Sequence, residues 1–226
     1  MKPFLIISPP RSGTAWLANW LTQGDVYCYH ELFGELWVKS AMDVTGTLGD
    51  VTGLFRSMGR IIQGNADSGN IMFLEQLKKL LPDVTLVAVT RNVSDVYKSL
   101  ARAMITAMPF DEVTSDTLQI TWGHLVKLDG HLEYVIKEYG LREETFDELF
   151  TTSPEVSMAA GRRIWSAISG GQPFDEDRWL RLRRMNVQLT SEAIGEVVSR
   201  APSMAPLLET RDEWCRPVES LQEVQG

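Results

Sequence analysis

Phe4-Leu5-Ile6-Ile7, Ser8-Pro9-Pro10-Arg11-Ser12-Gly13-Thr14 and Ala15-Trp16-Leu17-Ala18-Asn19-Trp20-Leu21 follow one another without interruption. The first four residues are a short, continuous apolar run, which suits a strand buried on both faces. The next seven are small, Pro-rich or polar and read as a tight loop. The last seven carry apolar residues on most faces and no helix breaker, so the stretch reads as strand, loop and buried helix. Such a loop aims successive backbone N–H groups at one point, and the helix N-terminus adds partial positive charge there. Gly13 admits close backbone approach, Ser12 and Thr14 add hydroxyls, and Arg11 adds a charged fork. The natural guest is a phosphate or sulfate. The competing reading is a strand–turn–helix whose Ser or Thr is simply an N-cap.

The loop is not the nucleoside-triphosphate pattern G-x-x-x-x-G-K-(S/T), because no Gly-Lys pair occurs in the chain. It resembles the 5′-phosphosulfate loop of sulfotransferases that use 3′-phosphoadenosine 5′-phosphosulfate (PAPS), Pro-(Lys/Arg)-Ser-Gly-Thr-(Thr/Ser)-Trp-Leu. Pro10 to Leu17 match it at seven of eight positions, and Ala15 departs.

A second unit lies further on. Val84-Thr85-Leu86-Val87-Ala88-Val89-Thr90 is apolar nearly throughout and belongs in the middle of a parallel sheet. Arg91 closes it, and Ser99 follows eight residues later in an expected helix to about Met104, capped by Ser94 or Asp95. An Arg at a strand end is by itself most often a surface ion-pair partner. The segment Val89 to Ser99 nevertheless resembles the family's 3′-phosphate motif, with Val93 in place of Pro. That resemblance implies that Arg91 and Ser99 bind the 3′-phosphate. A third likeness, Phe146-Asp147-Glu148-Leu149 followed by Ser153-Pro154-Glu155, implies that Phe146 lies beside the adenine. Trp16 is a second candidate for that place, and a core position is the rival reading for both. The family's C-terminal Arg-Lys-Gly segment is missing. Arg178, Arg181, Arg183 and Arg184 either supply its charge or form a solvated helix face.

The resemblance implies an α/β fold: a P-loop-type open parallel sheet, helices on both faces and a helical C-terminal part. One domain is expected over residues 1–200, with an irregular tail over 201–226. It also implies an enzyme that moves a sulfuryl group from PAPS to a hydroxyl or amine. The cofactor-binding set is then Arg11, Ser12, Gly13, Thr14, Ala15, Trp16, Arg91, Ser99 and Phe146. Arg11 stabilises the leaving phosphate, and a base is drawn from Glu31, the first choice, and His30, at the end of the expected second strand Val26–Tyr29. The alternatives are a non-catalytic binding protein of the same fold and a kinase-like P-loop enzyme.

The remaining chain reads as helices over residues 32–42 and 51–62, a surface loop from Gln63 to Asn70 and an amphipathic helix from Ile71 to Leu81. Helices are also expected over 118–139 and 154–168, the latter with Ser153 as N-cap and Pro154 at its first position. Acceptor specificity is expected from residues 45–70 and 106–117.

Bulk properties bound the partners. The chain has 226 residues, 44% apolar and 23% charged, with a formal charge of −8. That balance opposes general nucleic-acid binding. Two cysteines, Cys28 and Cys215, give neither a disulfide framework nor metal spacing, so no metal is expected and a reduced, cytoplasmic setting is the default. Neither a secretory signal nor a membrane-spanning run is read, and the expected partner is a small-molecule or glycan acceptor.

Overall fold

The computed structural model of the chain describes residues 2–30, 62–107 and 113–183. The expected helix over 32–42, the expected helix over 51–62 except Ile62, which opens a strand, and Glu31, Arg184, Cys215 and the 201–226 tail lie outside them. Five parallel strands form one sheet: β1 (Lys2–Ile7), β2 (Val26–His30), β3 (Ile62–Asp67), β4 (Thr85–Thr90) and β5 (Arg142–Thr145). Their spatial order is β2-β3-β1-β4-β5. The chain leaves β1 toward β2 on one side and leaves β4 toward β5 on the other. The strand order therefore reverses between β1 and β4, and ligands bind at such a point beyond the C-terminal strand ends.

Alternation along β1 divides the core. Phe4 and Ile6 face one apolar cluster, and Leu5 and Ile7 face another. The first cluster is closed by α1 (Thr14–Leu21), α7 (Pro154–Ile168) and α8 (Glu176–Arg183). The second is closed by the short helices α2 (Gly69–Met72) and α3 (Leu74–Leu80), and by the long α5 (Ser115–Tyr139). Helix α4 (Val93–Ala107) follows β4, and the single turn α6 (Phe146–Leu149) follows β5. The sheet is thus covered on both faces, as expected for the fold class.

Three expectations are corrected. The stretch from Gln63 is not a surface loop but β3, buried throughout and paired on both sides. Its polar residues mimic a loop, yet Asn65 and Asp67 find partners inside the fold. Asn65 donates to Asn70 Oδ1 at 3.2 Å, and Asn70 donates to the Ile6 carbonyl at 2.8 Å. Gly64 faces Phe4 so closely that a Cβ there would lie 2.3 Å from the ring. Second, the helix from Ile71 to Leu81 is broken at Phe73 into α2 and α3. Third, α4 is capped by neither Ser94 nor Asp95: the Ser94 N–H donates to Asn92 Oδ1 at 2.9 Å, making Asn92 the cap. The expected Ser153 cap and first-turn Pro154 of α7 are present, Ser153 Oγ accepting from Val156 N–H at 3.3 Å.

Arg178 illustrates how a charge count misleads. Its guanidinium donates to the carbonyls of Asn19 at 2.6 Å, Thr22 at 3.0 Å and Trp20 at 3.4 Å. These lie at the C-terminal end of α1, where carbonyls lack helical partners and the dipole is negative. Arg178 therefore fastens α8 to the end of α1 remote from the loop, and it does not supply charge to a phosphate there. Arg178→Ala is expected to cost about 2 kcal/mol, the worth of charged hydrogen bonds of this kind, and to leave ligand affinity unchanged. Urea denaturation checks the first part and calorimetric titration the second.

Candidate active site

The loop between β1 and α1 carries two left-handed residues. Gly13 has φ 77°, and Arg11, which is not glycine, has φ 62°. A non-glycine residue held there costs on the order of 1–3 kcal/mol and is concentrated at functional sites. Alternating backbone handedness of this kind turns N–H groups inward into an anion-binding concavity. Gly13 is also the N-cap of α1, so no side chain caps that helix and no acid stands in its first turn. The simple Ser/Thr-cap reading of this loop is thereby removed. Ser12 is fully buried, and its Oγ has no hydrogen-bond partner among the described residues. A buried hydroxyl donor without an acceptor is satisfied by an oxygen-rich anion seated on the loop.

The loop is propped from below. A Cβ on Gly13 would lie 2.5 Å from the Phe150 ring. Phe150 in turn meets Trp16 edge-on at 5.1 Å and Phe146 at 4.4 Å. Trp16 is 4% exposed and enclosed by Trp20, Trp179 and Phe150, and its indole N–H donates to the Leu182 carbonyl at 2.8 Å. In this structure it packs in the core beneath the loop. Ala15 lies in the first turn of α1, partly exposed, with no hydroxyl to offer.

The second motif meets the first directly. Arg91, at the end of β4, donates through Nη1 to the Arg11 carbonyl. Arg11 Nε donates to Ser99 Oγ at 3.3 Å. Two segments separated by some 80 residues are thus laced together at the reversal point of the sheet. The Arg91 guanidinium also lies 4.0 Å from the centroid of the Phe146 ring. Phe146 is 3% exposed, so its role in this structure is to seat Arg91; it does not present a free face to adenine. Burial pushes the Arg91 pKa down to about 10; Asp95 and Asp147 oppose that shift, while Arg11 and Arg102 add to it. A guanidinium so placed favours an anion that restores its lost solvation.

His30 closes β2 on the other flank of the loop. Its Nε2 is 3.2 Å from Thr14 Oγ1. In the tautomer where Nε2–H donates, the Thr14 proton is free to point at an anion on the loop. His30 thus orients Thr14, a contact that the sequence could not show. Arg183 is half-buried next to Leu182, and burial lowers its pKa while Glu155 raises it. The acids that act on Arg91 beside the loop are Asp95 and Asp147. The cavity of about 440 Å³ on the α5 side of Arg91 carries Asp129, Glu133 and Glu143. Burial and Glu133 both raise the Asp129 pKa. Arg91 and Lys137 line the same cavity, so its charge is mixed. Among the described residues, no three His, Cys, Asp or Glu side chains gather to hold a metal.

No protein-family model matches the chain, and no curated protein matches it in sequence. Among solved structures it is similar to the sulfotransferase STF9 from Mycobacterium avium, with a TM-score of 0.51 over 99% of this chain and 75% of that one. The fold is that of a sulfotransferase. At 13% identity the likeness is one of architecture and transfers no residue roles. Within the sulfotransferase fold, the sites read from sequence fall into two groups. Arg11, Ser12, Gly13, Thr14, Arg91 and Ser99 converge with His30, whereas Trp16 and Phe146 serve as supports. Asn92, which caps α4, and Phe150, against which Gly13 packs, were not singled out by sequence. Glu31 lies outside the described residues. No helix of the described residues is long and apolar enough to cross a membrane.

Proposed function

We propose that the chain is a sulfotransferase that moves a sulfuryl group from PAPS to a hydroxyl or amine of an acceptor. The observation that carries this reading is the lacing of Arg11 to both Arg91 and Ser99 at the sheet's reversal point. Two cation-bearing segments joined in this way support a single doubly phosphorylated nucleotide as the ligand of both. The orphaned Ser12 hydroxyl and the uncapped α1 N-terminus fit its 5′ end, and Arg91 with Ser99 fits its 3′ end. When bound, PAPS supplies the sulfuryl group.

The chain's own groups then have distinct tasks. The N–H groups of Ser12 to Thr14 and the Thr14 hydroxyl hold the phosphate, with His30 fixing the hydroxyl. The Arg11 guanidinium neutralises charge growing on the leaving oxygen, which is electrostatic stabilisation of the kind phosphoryl transfer also uses. Glu31 or His30 takes the acceptor proton. Ala15 withholds one hydroxyl that the resembling motif supplies, a loss on the order of 1 kcal/mol. That departure favours, as the second reading, a protein of this fold that binds the nucleotide without turnover.

Thermal unfolding in adenosine 3′,5′-bisphosphate, ATP, GTP or sulfate, without magnesium, tests the donor class. At a concentration 100 times its Kd, a native-state ligand stabilises by about 2.7 kcal/mol. For a chain of this size that raises Tm by about 5–10 °C. The bisphosphate is expected to do so and ATP is not. Stabilisation by ATP only with magnesium points instead to a kinase-like enzyme. Sulfate transfer to acceptors then separates the enzyme from the binding protein.

A further inference from the structure

The cavity of about 440 Å³ opens beyond the C-terminal end of β4, among the start of α4, one face of α5 and β5. Ligands of open parallel sheets sit at such strand ends, and pockets for small molecules span about 300–1,000 Å³. Asp129, Glu133 and Lys137 follow one another at four-residue steps and so share a face of α5. Leu132 and Ile136 on that helix, with Val93 from α4, add apolar lining. The charged lining is of both signs: the carboxylates of Asp129, Glu133 and Glu143, and the cations Arg91 and Lys137. Among the described residues, none of these five lies within ion-pair distance of an opposite charge. Glu143 is held in place by Thr90, whose Oγ1 donates to its Oε1 at 2.7 Å. Burial and the like charge of Glu133 raise the Asp129 pKa, so a cation that reaches this pair favours the ionised form of both.

We propose that this cavity is a second ligand site, taking a small zwitterion whose ammonium meets Asp129 and Glu133 and whose carboxylate or sulfonate meets Lys137 and Arg91. Opposite charges that surround one space without meeting each other are answered together by a molecule that carries both. The order along α5 is acid, acid, base. At a rise of about 1.5 Å per residue, Lys137 stands about 6 Å beyond Glu133 and about 12 Å beyond Asp129 along the helix axis. The ligand's two charges are therefore several bonds apart, joined by a chain that rests on Leu132 and Ile136. The site needs no nucleotide on the loop, and its two exposed α5 charges, Glu133 and Lys137, take no part in holding the donor.

Calorimetric titration of the full chain with 6-aminohexanoate, hexylamine and hexanoate at equal ionic strength tests the site. The zwitterion is expected to bind about 10-fold more tightly than either single-charge analogue, the range of one charge-assisted contact. Glu133→Gln is expected to shrink the advantage over hexanoate, and Lys137→Gln the advantage over hexylamine, each by about 3- to 10-fold. Both side chains are exposed, so the melting temperature of either variant is expected to match wild type. Hexylamine that binds wild type as tightly as the zwitterion marks an ordinary acidic surface and overturns the proposal. Absence of saturable binding at tens of millimolar overturns it too. So does zwitterion binding that both variants leave unchanged, because the molecule then sits elsewhere on the protein.

Discussion

Arg11→Ala is expected to lower sulfuryl transfer by about 10²- to 10³-fold, the usual consequence of removing one preorganised donor from a developing negative charge. Stability is expected to change little. The Arg11 side chain is exposed and its described contact is the single bond to Ser99, worth about 1 kcal/mol. The bond that ties the loop to β4 uses the Arg11 carbonyl, which any residue supplies. The strained φ of 62° also remains in the alanine variant. Arg11→Gly separates the two effects: the loop relaxes and Tm rises while transfer is still lost. Radiolabelled sulfate transfer and a melting curve on the same preparations provide the check. Undiminished transfer in Arg11→Ala ends the assignment of Arg11 to the leaving oxygen.

Gly13→Ala is expected to be the most damaging single change in the loop. The added methyl meets the Phe150 ring at 2.5 and 2.6 Å, and the backbone is left-handed at φ 77°. Strain at such a position and overpacking against an aromatic each cost on the order of 1–3 kcal/mol. A loss of about 3–5 kcal/mol is therefore expected by urea denaturation. Bisphosphate binding should fall with it, because Phe150 and Trp16 are the floor on which the loop rests. The double variant Gly13→Ala with Phe150→Leu relieves the clash but not the φ. It should recover part of the stability relative to Gly13→Ala. A single variant within 1 kcal/mol of wild type by the same measurement would show that the floor is soft and the loop conformation adaptable.

The parts of this protein legible in sequence are those ruled by local chemistry. A run such as Phe4 to Ile7 has no stable place but a two-sided core, and Gly13 after Ser12 can turn where other residues strain. Ser153-Pro154 starts a helix because both residues satisfy or need no amide partner there. What misled was polarity. Gln63, Asn65 and Asp67 look like solvent-facing residues, yet Asn70 answers Asn65 inside the sheet and the Gly69 N–H donates to Asp67 Oδ1. The strand Arg142–Thr145 has no apolar pattern at all; it exists because β4 offers an edge and Arg163 neutralises Glu144.

By itself, the order of residues determined the loop, the strands β1 and β4 and the spacing of Arg91 to Ser99, since these follow from backbone sterics and burial within a short stretch. Only the folded chain decided that Arg91 reaches the Arg11 carbonyl, that Phe146 seats a guanidinium and Trp16 packs in the core, and that Arg178 fastens the end of α1. An arginine's reach and partners depend on which strands become neighbours, and that is settled by packing across the whole sheet.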